Sequence, residues 1–217
     1  AWRPFFLSHA AEPGAKALFA RALTYSVAAM TAVFLAVAMF IGDIVRIRIF
    51  GRYIIHPDYW GGLSIVPVVL VAYMFLGIYN NLVAGVYIEK KTQRLPAITL
   101  AGAVVNVGAN FLLIPLMGMM GGAVATLLAY AVMALVLYID VRKFYPVSYE
   151  WGRIARLALV GGILFILSRV VDTGAYHIAW NCLLLLSYLP ALFVSRFFIP
   201  EEIVVLRRLF GRVASGS

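Results

Sequence analysis

Two apolar runs of about twenty residues follow each other almost without a break, and this pairing limits the folds that the chain can adopt. The first extends from Ala97 to Met117 and the second from Met119 to Ile139, with Gly118 between them. At a helical rise of about 1.5 Å per residue, each run can cross the ~30 Å hydrocarbon core of a bilayer. The first run also contains Asn106 and Asn110, whose i, i+4 spacing puts both amides on one helical face. The sequence therefore predicts a membrane hairpin with a polar seam.

Composition places the chain among integral membrane proteins. Of its 217 residues, 64% are hydrophobic and only 12% are charged, whereas a soluble domain has about 45–50% apolar and about 25% charged residues. The formal net charge of +9 does not indicate nucleic acid binding, because the basic residues lie in loops between apolar runs, as positive-inside topology requires. The single cysteine, Cys182, lies within an apolar run, so no internal disulfide can form.

The hydropathy pattern predicts an all-α, polytopic membrane helix bundle with six transmembrane helices and short loops. The predicted spans are residues 17–45, 63–88, 97–117, 119–139, 154–171 and 178–195. Pro190 is expected to interrupt the last of them. We divide the chain into a helix end with a cytoplasmic loop (1–16), four helices (17–141), two further helices (142–196) and an amphipathic cytoplasmic tail (197–217).

The basic residues divide unequally between the two sides of such a bundle. With six spans, fourteen of the eighteen Lys and Arg residues fall on one side. The four on the other side are Arg46, Arg48, Arg52 and Arg169. Because cytoplasmic loops are enriched in Lys and Arg, we expect both ends of the chain and the loop 89–94 in the cytoplasm, and the turn GMMGG (residues 118–122) outside.

Polar residues within the predicted spans are the candidates for a substrate cavity. They are Arg21, Asn80, Asn81, Asn106, Asn110 and Tyr130. Asparagine in a span faces protein or water rather than lipid, so the pair on the third span either ties helices together or lines a hydrated cavity. Arg21, one turn inside the first span, either snorkels to the interface or meets an anionic head group at a cavity mouth. Small residues such as Gly77 and Gly102 are interpreted as close helix contacts.

Sequence motifs for enzymatic chemistry are absent. The chain has no Gly-rich phosphate loop, no nucleophile elbow and no HExxH. His9, His56 and His177 lie in loops without the spacing of metal ligands. We therefore expect no catalytic residue, no metal, no cofactor and no enzymatic activity.

The segment from Tyr53 to Trp151 resembles the polysaccharide biosynthesis (O-antigen) branch of the multidrug/oligosaccharidyl-lipid/polysaccharide flippase superfamily. The resemblance is carried by GRYIIHPDYWGG, by Lys90 to Thr92 after GVYIEKK, and above all by AGAVVNVGANFLLIPLMGMMGGAVATLLAY. Within the last segment, the residues that match the pattern of this branch are Asn106, Asn110, Pro115, Gly118, Gly122, Ala123, Ala125, Thr126 and Tyr130. Gly121 departs from the pattern, which more usually has a bulky residue there. The opening AWRPFF also resembles the end of the family's eighth helix.

The resemblance implies two inverted-V, MATE-like lobes of six helices each and two C-terminal helices, of which this chain would supply helices nine to fourteen. The implied activity is movement of a polyprenyl-pyrophosphate-linked oligosaccharide from the cytoplasmic to the periplasmic face of the bacterial inner membrane by alternating access. The expected partners are this lipid-linked glycan, membrane lipids and the N-terminal lobe of the same chain. The protein is expected to be a monomer.

Two other functions remain open at this point. One is a cation-coupled drug or metabolite exporter of the same superfamily, which would not depend on lipid-linked sugars. The other is a membrane-embedded glycan ligase or polymerase, which the short external loops disfavour.

Overall fold

The computed structural model describes residues 6, 8–10, 12–171, 173–200 and 202–203. These residues form six α-helices, α1 (Ala15–Ile44), α2 (Val66–Ile88), α3 (Leu95–Met117), α4 (Met119–Val141), α5 (Trp151–Val170) and α6 (His177–Val194). Between α1 and α2 lie an antiparallel hairpin and a 3-10 helix, namely β1 (Arg48–Ile49), β2 (Arg52–Tyr53) and Pro57–Ile65. Shorter 3-10 turns precede α3 and α6, at Thr92–Arg94 and Gly174–Tyr176. The predicted all-α helix bundle is confirmed.

Five helical segments of the described residues are long and apolar enough to cross a membrane. They are Ala15–Ile44, Pro57–Ile88, Thr92–Met117, Met119–Val141 and Gly174–Val194. The remaining expected span, residues 154–171, forms α5 but is not among them. Its uncharged stretch between Arg156 and Arg169 is twelve residues, which rise only about 18 Å against a core of about 30 Å. Five of the six predicted spans are therefore helices long and apolar enough to cross a membrane, and the span predicted at 154–171 is not.

The chain divides into two compact units, Ala1–Trp151 and Gly152–Ser217. In the first unit α4 packs against both α2 and α3, and α2 also packs against α1. The approach of α3 to α4 depends on Gly102, where a Cβ would lie 2.3 Å from the Met133 side chain. Gly77 allows the same closeness between α2 and a methionine of α1. The interpretation of these glycines as close helix contacts is confirmed.

The turn between α3 and α4 consists of a single residue, Gly118. Its φ of 57° and ψ of −132° form a conformation that glycine adopts far more readily than other residues. Because α4 begins directly afterwards at Met119, the rest of the expected GMMGG turn is helical. The predicted hairpin is confirmed, and its turn is tighter than the sequence indicated.

The second unit contains α5 and α6. Helix α6 continues through Pro190 to Val194, so the predicted interruption is wrong. Proline removes one N–H from the helical ladder, and in this position the helix persists beyond it. After α6, Glu202 and Ile203 are helical, while residues 204–217 of the predicted amphipathic tail lie outside the described residues. Residues 1–5 of the predicted initial helix end also lie outside them.

Candidate functional site

Asn106 and Asn110 bond to each other on one face of α3. The Nδ2 group of Asn110 donates to Oδ1 of Asn106 over 3.1 Å, and both side chains are half-buried. An open cavity of about 330 Å³ lies beside them and is lined by Val107, Asn110, Phe111, Ile114 and Pro115. A hydrogen bond within one helix does not tie α3 to a neighbour, and it leaves amide donors and an amide acceptor for other partners. Asn110 therefore presents a polar side chain to a cavity that is otherwise lined by apolar residues, and Asn106 bonds to the Asn110 amide from the adjacent turn of α3.

Five of the six candidate residues lie in the middle part of their helices, between about 10 and 22 Å from one side of the bundle. The loop between α2 and α3 and the single-residue turn after α3 place the end of α2, the start of α3 and the end of α4 on one side. Measured from that side, Asn80 and Asn81 lie about 10–12 Å deep, Asn106 and Tyr130 about 16 Å, and Asn110 about 22 Å. In a hydrocarbon core of about 30 Å, these residues form a polar layer near the middle.

The two adjacent asparagines of α2 differ in their surroundings. Asn80 is exposed, whereas Asn81 is half-buried and donates from Nδ2 to the carbonyl of Gly77 over 2.9 Å. The Oδ1 atom of Asn81 is buried and has no hydrogen-bond partner among the described residues. A buried polar atom without a partner costs about 1–3 kcal/mol. Of the two, Asn81 is therefore the residue whose side-chain oxygen would be stabilised by a hydrogen bond from a further donor.

Tyr130 contacts α2 through an aromatic pair. Its ring meets that of Tyr73 edge to face, with the centroids 5.9 Å apart. Tyr130 is half-buried, whereas Tyr73 is 55% exposed, so the two phenols border the surface of the unit. Tyr73 lies on the same helical stripe as Gly77 and Asn81, and this spacing is the sequence signal that identifies it. The structure therefore adds Tyr73 to the polar layer.

Arg21 lies closer to the membrane interface than the other candidates. It is exposed, about 9 Å along the helix from the start of α1. One turn further on, the buried hydroxyl of Thr24 donates to the carboxylate of Glu150 over 2.7 Å. An acidic group from the loop after α4 therefore faces α1 one turn from Arg21. Sequence reasoning missed Glu150, because its partner is 126 residues away.

Cations from two segments, the loop between α2 and α3 and the start of α1, lie over aromatic rings at this end of the first unit. Lys91 and Arg94 lie over the ring of Phe144, at 4.2 Å and 5.5 Å from its centroid. Lys16, at the start of α1, lies 5.2 Å from the centroid of the Tyr145 ring. Cation–π contacts of this kind contribute about 0.5–1 kcal/mol at exposed sites. They concentrate positive charge on the side where the charge count predicts the cytoplasm.

Two tyrosines in the loop after α4 have raised pKa values. Burial raises the pKa of Tyr149, and the neighbouring Tyr145 and Tyr138 raise it further. Burial also raises the pKa of Tyr145, with the charge of Glu89 as the second cause. Both phenols therefore stay protonated at neutral pH, which suits them for packing and hydrogen bonding and not for general-base chemistry.

Comparison of the chain with protein-family models, curated proteins and solved structures found no match. Within the part of the chain that the structure describes, no group of three or more His, Cys, Asp or Glu side chains is arranged to hold a metal ion. The features that bear on function are therefore the polar layer at mid-depth and the cationic end of the first unit.

Proposed function

We propose that the chain is part of a flippase that carries a polyprenyl-pyrophosphate-linked oligosaccharide across the bacterial inner membrane, from the cytoplasmic to the periplasmic face. The observation that supports this most directly is the half-buried pair Asn106 and Asn110, which lies at mid-depth beside an open cavity. The same two asparagines belong to the sequence pattern that resembles the O-antigen branch of flippases. The N-terminal lobe of the full-length protein would supply the opposite wall of the cavity.

The chemistry of the cargo accounts for this distribution of polar groups. Sugars and pyrophosphate lose their hydration in hydrocarbon at high cost, so their path needs hydrogen-bonding groups in the middle of the membrane. Asn106 and Asn110 supply such groups without a fixed charge, which would cost about 2.5–3.5 kcal/mol at the bilayer centre. Arg21 supplies positive charge nearer the interface, where the pyrophosphate would first be met. The polyprenyl tail stays in lipid.

A comparison of Asn106→Ala with Thr126→Ala in the full-length protein tests the proposal. Thr126 lies about 22 Å from the end of α4, at a depth similar to that of the asparagines. Its hydroxyl bonds to the Gly122 carbonyl of its own helix over 3.0 Å, which makes it a matched control. Losing one hydrogen bond to cargo lowers transport by roughly three- to tenfold. We therefore expect Asn106→Ala to lower surface glycan by this factor at normal membrane abundance, and Thr126→Ala to leave both unchanged.

The other outcomes are equally informative. Normal export at normal abundance in Asn106→Ala would refute the role of the pair in transport, and a parallel loss of abundance and export would assign it to helix packing.

Arg21→Ala should lower transport without lowering abundance. A flippase defect leaves lipid-linked glycan in the inner leaflet, a ligase or polymerase defect leaves it in the outer leaflet, and an exporter defect changes drug or metabolite efflux instead.

A further inference from the structure

An open groove lies between the start of α3 and the end of α4, apart from the cavity beside Asn110. Its volume is about 600 Å³. The lining is charged at the helix ends and apolar further in, with Arg94, Asp140 and Lys143 followed by Ala97, Val136 and Ile139. Both helices are long and apolar enough to cross a membrane. The charged part of the groove therefore lies at the interface and the apolar part among acyl chains.

The charged end of the groove has an excess of positive charge. Arg94 forms an ion pair with Asp140, which holds the start of α3 against the end of α4. Asp140 is the one carboxylate in the lining, and Lys143 adds a second cation to it. Lys91 shares the ring of Phe144 with Arg94, so a third cation lies close by. Within the lining, two cations thus accompany one carboxylate that is already paired, and Lys91 lies outside the lining beside Phe144.

We propose that this groove binds one anionic phospholipid, such as phosphatidylglycerol. Its phosphate lies between Arg94 and Lys143, Lys91 beside Phe144 adds positive charge outside the lining, and an acyl chain follows Ala97 and Ile139 toward the middle of the helices. Charge and shape together select this occupant. A free phosphate ion would leave the apolar part of the groove uncovered, and a zwitterionic lipid would bring no net charge to the cations. Each cation near an anionic head group strengthens binding by about fivefold.

The charge requirement can be tested on the purified full chain by native mass spectrometry with phosphatidylglycerol and phosphatidylcholine. Lys91→Gln and Lys143→Gln both leave the ion pair between Arg94 and Asp140 in place. Each should weaken phosphatidylglycerol binding by about fivefold and leave phosphatidylcholine binding unchanged. Arg52→Gln, which removes an exposed cation of β2, is the matched control and should change neither. An equal loss in the control, or equal binding of the two lipids by the unaltered chain, would overturn the proposal.

The requirement for an acyl chain is tested by filling the groove. Ala97 is exposed, so the indole of Ala97→Trp can occupy the groove without displacing the core, and circular dichroism checks that the helices are retained. We expect this variant to lose phosphatidylglycerol although every cation remains. Unchanged lipid binding in it would overturn the proposal. Displacement of the lipid by inorganic phosphate would also overturn it and would assign the groove to free anions. One-for-one displacement by a polyprenyl pyrophosphate would overturn it as well and would assign the groove to the transported lipid.

Discussion

Gly121 and Gly122 are neighbours at the start of α4, but they differ in their tolerance of a methyl group. A Cβ on Gly121 would lie 2.3 Å from the carbonyl oxygen of Leu113 and 2.5 Å from its carbonyl carbon. A Cβ on Gly122 would meet only Oδ1 of Asn110, at an ordinary contact distance of 3.8 Å. Because carbon–oxygen contacts lie at about 3.3 Å or more and backbone atoms cannot rotate aside, α3 and α4 must move apart by about 1 Å to accept alanine at position 121.

The size of the effect follows from two opposing terms. Overpacking of this kind costs about 1–3 kcal/mol. Alanine is favoured over glycine within a helix by about 1 kcal/mol, and this gain applies to both positions. Gly122→Ala should therefore be neutral or stabilising, while Gly121→Ala should lower the free energy of unfolding by up to about 2 kcal/mol. The difference between the two variants, about 1–3 kcal/mol, isolates the contact with Leu113.

The two variants should be unfolded by sodium dodecyl sulfate titration in mixed micelles, with the loss of helical circular dichroism as the signal. Their circular dichroism before titration should match that of the unaltered protein, because neither change removes a helix. A Gly121→Ala variant as stable as Gly122→Ala would refute the reasoning, since it would mean that α3 and α4 do not approach this closely beside the turn.

Two further predictions concern the second unit and the orientation of the chain. Glu202→Gln should lower the free energy of unfolding of the second unit by about 1.5–3 kcal/mol, because Arg153, whose side chain is 10% exposed, would lose the carboxylate that accepts two of its hydrogen bonds. Faster proteolysis between α5 and α6 would reveal this loss, and an unchanged rate of proteolysis would contradict the prediction. Glu202→Asp should have a smaller effect because it keeps the charge. With Cys182 replaced by Ser, a membrane-impermeant maleimide should label Phe50→Cys, at the exposed tip of the hairpin, in intact cells. It should label Lys90→Cys only after permeabilisation, and the reverse pattern would overturn the orientation.

Most of the helices could be predicted from the sequence because a long apolar run has few alternatives in a membrane. Backbone groups in hydrocarbon must bond within the segment, so the runs at 97–117 and 119–139 had to become helices. The pattern was less informative where charge interrupts it. In α5, Arg153 and Arg156 lie within the helix, and the buried ion pair of Arg153 with Glu202 is a tertiary contact that no local pattern indicates.

The candidate site could be predicted only where the relevant contacts are local. The spacing of Asn106 and Asn110 determined their shared face, and the bond between them follows from it. No sequence pattern indicates which of Asn80 and Asn81 turns toward the packed side of α2, since adjacent residues differ by about 100° around a helix. Glu150 depends on a contact between distant segments. The family pattern likewise draws attention to Gly122, whereas the close contact lies at Gly121.

The distribution of charge with depth limits the ways in which these helices could carry an anionic cargo across the membrane. Helices α2, α3 and α4 contain no Lys or Arg, and their mid-depth polar groups are amides, phenols and the hydroxyl of Thr126. A hydrogen bond between neutral groups contributes about 0.5–1.5 kcal/mol, against about 1.5–3 kcal/mol when one partner is charged. The amides would therefore hold sugars weakly enough to release them, but they cannot neutralise a pyrophosphate. If the cargo carries one, its charge must be balanced at mid-depth by a cation from outside these three helices.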